Sequence, residues 1–249
     1  MIFVFVFIFG LALGSFLNVV INRLGSDKSA LKGRSVCPHC RAVIAWYDNI
    51  PLISFAILGA RCRSCHQKIS WQYPLVELGT AIALVLLYFR FDIMPTFWGY
   101  ALFTAFLIII FVYDLKTYLI LDRVSVPAMG IACIVSILLG RDVVSLLLGA
   151  TLGAGFFAAQ FFLSGGTWVG DGDIRLGAVM GLMLGWQLLL VALFIAYVIG
   201  AAVGIVLLAS RRKQASSQVP FGPFLTLATF VTLLYGQELL TWYVNVALL

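Results

Sequence analysis

Asp114 and Asp173 stand at the edges of long apolar runs in a chain of 249 residues, of which 10% are charged. Asp114 closes the run 105–113, and Asp173 opens the run 174–185. A carboxylate at a membrane boundary is costly to desolvate, which marks it as a functional group facing a partner or water. Two carboxyls that share a proton are the chemical minimum for activating water against an amide. A second constellation is Cys37-Pro-His-Cys40 and Cys62-Arg-Ser-Cys65, with 21 residues between the pairs. Two such knuckles supply the four sulfurs of a tetrahedral zinc site, and four thiolates close it, so the metal is structural. His39 and His66 are alternative ligands beside the cysteines. Two disulfides are the competing reading, and a reducing compartment opposes it. Cys133 lies in an apolar run and reads as an ordinary packed residue.

The elements that must position these groups are transmembrane helices. The chain is 63% hydrophobic, and a span needs about 20 apolar residues. Candidate spans fall at 2–22, 75–91, 96–114, 123–140, 143–163, 173–186, 187–209 and 221–246. The expected fold is therefore an all-α integral membrane protein of about eight helices with a small cytoplasmic zinc-binding segment. Residues 1–22 form the first helix, 23–74 the zinc-binding segment, and 75–249 a membrane bundle carrying the aspartates. The first run lacks the basic start and the small-residue cleavage pattern of a signal peptide, so it reads as a retained helix. Segment 23–73 is too short for a large core of its own and needs a staple.

Charge placement predicts the orientation. With the N terminus outside, only Arg90 and Arg141 of the 16 Lys and Arg residues fall in outer turns. The other fourteen, among them Lys28, Lys32, Lys116, Arg123, Arg175, Arg211, Arg212 and Lys213, fall on the cytoplasmic side together with both aspartates. The net charge of +6 is then topological, with anionic lipid headgroups as its natural partner, and nothing suggests a nucleic-acid groove. Small residues four apart (Gly10/Gly14, Gly149/Gly153, Gly177/Gly181/Gly185, Gly200/Gly204) predict close helix packing inside the bundle.

Asp173 at a helix start also reads as an N-cap. Asp114 sits at a helix C-terminus, where the dipole disfavours its charge, and opposite helix ends predict opposite protonation preferences for the pair. Asp171 is expected to bind water or substrate in its loop, and Asp122 to cap the next helix. Glu77, just inside the second span, is a further intramembrane carboxylate with a binding or a structural role. Arg175 is the cation nearest Asp173 in sequence and is expected to pair with it or to hold a substrate carboxylate.

Taken together these residues resemble the type 4 prepilin peptidase family, whose members are bifunctional leader peptidases and N-methyltransferases. The resemblance runs from Gly14-Ser15-Phe16-Leu17-Asn18-Val19-Val20 through Gly33-Arg34-Ser35, Trp46-Tyr47-Asp48-Asn49-Ile50-Pro51 and Tyr73-Pro74-Leu75-Val76-Glu77. It continues with Tyr113-Asp114, the GxGD motif Gly170-Asp171-Gly172-Asp173, and Pro220-Phe221-Gly222-Pro223-Phe224. The aspartate motifs are similar to those of presenilin-like intramembrane proteases.

The resemblance implies cleavage of prepilins or pseudopilins on the cytoplasmic side of the bacterial inner membrane, after a glycine that ends a short basic leader. It implies methylation of the new N-terminal amine by S-adenosylmethionine, and links to pilus or type II secretion machinery. Asp114 and Asp173 carry over as the catalytic pair, and Cys37, Cys40, Cys62 and Cys65 as zinc ligands of a segment tied to methylation. Leu121 replaces a common proline, Arg175 stands where lysine is usual, and Asp171 adds an acid within the motif. No soluble-type glycine-rich loop marks a place for S-adenosylmethionine.

Two other classes use similar residues. A proton-coupled transporter would place its acids near the bilayer midplane, whereas these lie at one face. A non-catalytic assembly scaffold would tolerate loss of either aspartate.

Overall fold

Each apolar run becomes a helix whose ends fall where polar residues or glycines interrupt it. The computed structural model describes residues 1–25, 33–210 and 219–247. The cations at 28, 32 and 211–213 that entered the charge count lie outside the described residues. The helices are α1 (Ile2–Arg23), the short α2 (Ile53–Ile57), α3 (Gln72–Phe91), α4 (Pro95–Thr117), α5 (Asp122–Leu138), α6 (Val143–Ser164), α7 (Asp171–Leu184), α8 (Trp186–Ala209) and α9 (Gly222–Ala247). The eight long helices follow the expected segments, and the chain is a multi-pass membrane protein.

The count of eight crossings is not confirmed. Among the described residues six helices are long and apolar enough to cross on length and composition: α1, α3, α4, α6, α8 and α9. At about 1.5 Å per residue, the 14 residues of α7 are shorter than a hydrocarbon core about 30 Å thick, and the 17 of α5 stand at the lower end of the spanning range. The backbone carbonyls at the end of α7 are met by side chains instead. Ser136 Oγ donates to the Leu182 carbonyl at 2.8 Å, and Arg141 donates to the Leu184 carbonyl at 2.7 Å. A helix end without such partners would leave acceptors unsatisfied.

The chain divides into two units, Met1–Phe97 and Trp98–Leu249. In the first, α1 packs along α3 with no side chain between them at the crossing. A Cβ on Gly10 would stand 2.5 Å from Ala81 Cα, and one on Gly14 would stand 2.6 Å from Glu77 Cα. In the second, α6 and α7 approach still more closely. A Cβ on Gly153 would lie 2.7 Å from the Gly177 carbonyl carbon and closer to its oxygen, and Gly149 meets Gly181 in the same way. The expected packing role holds for these pairs and for Gly200, which lies under the Phe221 ring. Gly204 has open space around it and takes no part.

These contacts make a sharp distinction between glycines. A Gly153→Ala substitution forces α6 off α7 and should lower stability by about 1–3 kcal/mol, the usual cost of overpacking. Gly155→Ala, two residues away with nothing within 4 Å, should be neutral or stabilising through helix propensity. Thermal unfolding of the two variants in the same detergent checks the contrast.

Candidate active site and thiolate cluster

The GxGD segment folds as it does because each glycine has a separate task. Gly170 is the N-cap of α7 in an extended conformation. Asp173 is the third helical residue, not the cap expected from sequence. Its carboxylate accepts the Gly170 N–H at 3.0 Å, and its own N–H donates to the Gly170 carbonyl at 3.1 Å. This reciprocal pair satisfies donors that a helix N-terminus otherwise leaves open. Gly172 is required for a different reason: a Cβ there would stand 2.7 Å from Ile120 Cβ, in the turn between α4 and α5.

Asp114 lies in the last turn of α4, where its carbonyl accepts the Tyr118 N–H at 2.8 Å. Both aspartates are buried, with 4% of Asp114 and 7% of Asp173 exposed. The Asp114 carboxylate is met by the first residue of α9, whose backbone N–H bonds to it. The approach is tight enough that a Cβ on Gly222 would stand 2.6 Å from Asp114 Oδ2. A helix N-terminus therefore faces each carboxylate, α7 at Asp173 and α9 at Asp114. The opposite protonation preferences expected from α4 and α7 alone do not follow.

The two carboxyls share one neighbourhood. The Asp114 charge acts on Asp173. Ile120 bridges the backbones beside them, touching Gly172 and, through Cδ1, the Gly222 position at 3.4 Å. Gly222 and Ile120 are the residues that reasoning from chemistry alone missed. Gly222 is silent in composition and carries a signal only through its motif, whereas Ile120 carries none.

Arg175 does not pair with Asp173. It binds Asp122 and, at 2.7 Å, Asp171. Asp122 is the first residue of α5 and does not cap it; the N-cap is Leu121, in the extended conformation that a proline would also adopt. The helix start is thus intact with leucine in that place. The resulting bridge clips the start of α5 to the start of α7 outside the buried pair. Asp171, pointing outward to Arg175, is not part of that pair.

The cysteines fold as two copies of one turn. Cys37 N–H donates to the Ala42 carbonyl and Arg41 N–H to the Cys37 carbonyl; Cys62 with Gln67 and His66 with Cys62 repeat this, all at 2.9 Å. Single antiparallel bridges, Val36 with Val43 and Arg61 with Lys68, close the two loops. Arg41 and His66, at φ +58° and +57°, make the left-handed turn that brings the chain back after each second cysteine. The four sulfurs lie within 4.8 Å of one another. Cys37 and Cys65 are 3.8 Å apart, which matches the edge of about 3.8 Å for a tetrahedron with Zn–S near 2.3 Å.

Backbone N–H groups of Cys65 and Ser64 draw the Cys62 thiol down to about 6. Cys65 is pushed up to about 11. The Gln67 N–H acts in the opposite direction there and is outweighed by burial and the neighbouring sulfurs. A second thiolate in this space calls for a cation, and the donor set fits zinc. Neither histidine joins the cluster, and Cys133 is a residue of α5.

The loop between the knuckles is tied down twice. Arg63 forms a two-pronged bridge to Asp48, at 2.9 and 2.6 Å, and lies over the Tyr47 ring. The Asp48 carboxyl is held below its ordinary value by the hydrogen bond and charge of Arg63. Glu77 takes a structural part: it accepts the Leu52 N–H at 2.9 Å and bonds to Ser15. Leu52 there holds an unusual positive φ of +59°.

Comparison with known proteins places the chain in a family. Residues 8–91 match the family model described as the bacterial peptidase A24 N-terminal domain, and residues 101–205 match the type IV leader peptidase family. A prepilin leader peptidase/N-methyltransferase of Aeromonas hydrophila is 34% identical, covering 98% of this chain and 94% of its own. The protein of the same name from Bacillus subtilis is 34% identical over 97% and 98%, and that of Myxococcus xanthus 37% over 88% and 68%. No solved structure matches. With this identity sustained over nearly the full length, the chain belongs to the type IV leader peptidase family.

Proposed function

We propose that this protein is a prepilin peptidase with N-methyltransferase activity, and that Asp114 and Asp173 cleave the peptide bond after the basic leader of a prepilin or pseudopilin. The observation that carries the reading is the burial of these two carboxyls in one neighbourhood, each with a helix N-terminal N–H on it. Like charges so placed favour a pair that holds one proton between them. The ionised member takes a proton from water as the water oxygen attacks the scissile carbonyl carbon. The protonated member donates to the carbonyl oxygen. Collapse of the tetrahedral intermediate returns that proton to the oxygen-bearing carboxylate, breaks the C–N bond, and delivers the other proton to the leaving amine. The pair ends as it began, with one proton. The acids lie in the last turn of α4 and the first turn of α7, which disfavours a transporter that uses them at mid-bilayer.

The charge asymmetry supports an N terminus outside the bacterial inner membrane, with the thiolate segment and both aspartates facing the cytoplasm. In that compartment thiols stay reduced, so Cys37, Cys40, Cys62 and Cys65 would hold zinc as a closed structural cross-link. S-adenosylmethionine supplies the methyl group for the released amine.

Substitution separates the buried pair from its acidic neighbours. Asp114→Asn and Asp173→Asn should each abolish release of the leader from a purified prepilin while the protein stays folded, because the amide oxygen still accepts the Gly170 or Gly222 N–H. Asp122→Asn and Asp171→Asn should retain cleavage within a few-fold. Gel shift of the processed prepilin reads all four, and processing by either of the first two variants would refute the mechanism.

Metal analysis of the purified chain should find zinc, and Cys37→Ser or Cys62→Ser should lose it. Mass spectrometry of the mature N terminus then tests the link to methylation. Full gain of one methyl group with the zinc-free Cys37→Ser variant would detach the segment from that activity.

A further inference from the structure

The backbones that hold Asp114 and Asp173 are joined by a pair of aromatic rings. Phe157, on α6, is fully buried. Its ring edge faces α7 at Gly177, one helical turn beyond Asp173. The approach is so close that a Cβ on Gly177 would stand 2.7 Å from Phe157 Cδ2. The same ring meets Phe221 in an edge contact, with centroids 6.3 Å apart. Phe221 directly precedes α9, and the next residue, Gly222, is the one pressed on Asp114. The two rings therefore span from the helix that carries Asp173 to the backbone that meets Asp114, all within the second unit.

Phe221 is seated in a slot between α6 and α8. The Tyr197 ring of α8 closes on it edge-on at 4.9 Å. A Cβ on Gly200, three residues further along α8, would stand 3.3 Å from the Phe221 ring, so only glycine leaves the slot open without a shift. Tyr197 is itself held to α6, where its hydroxyl donates to Gln160 Oε1 at 2.8 Å. Gln160 follows Phe157 by three residues, which fixes the wall of the slot and the bridging ring to the same turn of α6. The Phe221 carbonyl accepts the Phe224 and Leu225 N–H groups at 3.0 and 3.2 Å. The first turn of α9 therefore follows wherever the Phe221 ring is placed.

We propose that Phe157 and Phe221 are positioning residues that set the separation of the two carboxyls. The inference rests on the peptidase reading above. Each ring acts through backbone beside an acid, Phe157 through Gly177 and Phe221 through the Gly222 N–H on Asp114. A pair that shares one proton works only while its members and the attacking water stay within hydrogen-bond reach. A misplacement of about 1 Å at such a centre costs on the order of a hundred-fold in rate. Close-packed rings pass a displacement on instead of absorbing it, whereas a flexible side chain of the same volume fills the space without fixing the spacing. Space-filling alone makes a different demand: each ring would then matter in proportion to the stability it confers, and independently of the other.

The test measures kcat and KM for cleavage of a purified prepilin by the full chain, together with Tm, in one detergent. Phe157→Leu and Phe221→Leu keep an apolar filling but remove the ring. Each should lower kcat by roughly ten-fold, as a shift well under 1 Å requires, with KM within about two-fold of wild type. The double variant should fall no more than about two-fold below the weaker single one, because both changes break one connection. Phe103→Leu is the comparison: it removes an equally buried ring from α4, about three turns before Asp114. It should lower Tm as much as the bridge variants do and leave kcat within about two-fold of wild type.

If a ring deletion fails to fold, Gly200→Ala carries the test, since it keeps every ring and only crowds Phe221. It should lower kcat by roughly three-fold or more at unchanged KM. Losses that multiply in the double variant, a rise in KM at constant kcat, an equal loss of kcat in Phe103→Leu, or wild-type kcat in the bridge variants each overturn the proposal and leave the peptidase reading in place. Absence of cleavage by the wild-type chain overturns that reading, and the bridge with it.

Discussion

The second unit depends on the contact of α6 with α7 at bare backbone. Gly149 and Gly153 meet Gly181 and Gly177 with no room for a methyl group. Helix association in lipid lacks a hydrophobic driving force, so close van der Waals approach must supply it. The contact also sets the position of α7 along its own axis, because successive glycines fit successive glycines in one register only. Asp173 stands one turn before Gly177, so its location is set by packing a few ångströms away. The carboxylate needs no flexible loop to deliver it.

Around that fixed carboxylate the remaining parts converge from three other elements. Ile120, in the turn after α4, rests on Gly172 and reaches Gly222, so the turn that follows Asp114 is held by the two glycines beside the acids. Gly222 opens α9 and places an N–H on Asp114. Arg175 holds Asp122 and Asp171 at the outer rim, which turns a nearby cation away from Asp173. Leaving the carboxylates to each other is what their chemistry requires, since a salt bridge would fix one of them as permanently ionised. The charged residues of the GxGD segment thus divide by depth: Asp171 and Arg175 are structural at the surface, and Asp173 is buried.

Much of this was legible in the sequence, and the reasons differ by feature. Apolar runs reported the eight long helices well, because in lipid each backbone group must be satisfied within its own segment. They counted α5 and α7 with the rest, since hydropathy registers an apolar stretch whatever its length, and α7 ends early on Ser136 and Arg141. The thiolate cluster was readable from spacing alone, because a tetrahedron constrains its ligands more tightly than a fold does. The partners of Asp122 and Arg175 were not readable. Their pairing joins the starts of two helices 53 residues apart, and nearest-in-sequence favours Asp173 wrongly. The α9 N–H on Asp114 was hidden for a similar reason: a backbone donor leaves no mark on residue type, except that its residue must be glycine.

Arg141 shows how a residue that departs from the charge pattern is explained by the short helix. A helix of 14 residues must leave at least one end within the apolar layer or close to it. The end met by dedicated protein donors is the C-terminus, where Ser136 and Arg141 bind the Leu182 and Leu184 carbonyls and Arg141 is itself held by the Tyr100 hydroxyl. The other end carries the acids. Asp171 is 74% exposed there while Asp173, two residues further, is buried. The protein's surface passes between them. A carboxylate just beneath that surface is shielded enough to hold a shared proton and close enough for water to arrive. Shortening α7 while anchoring its far end is thus the means by which a membrane helix presents an acid at that depth.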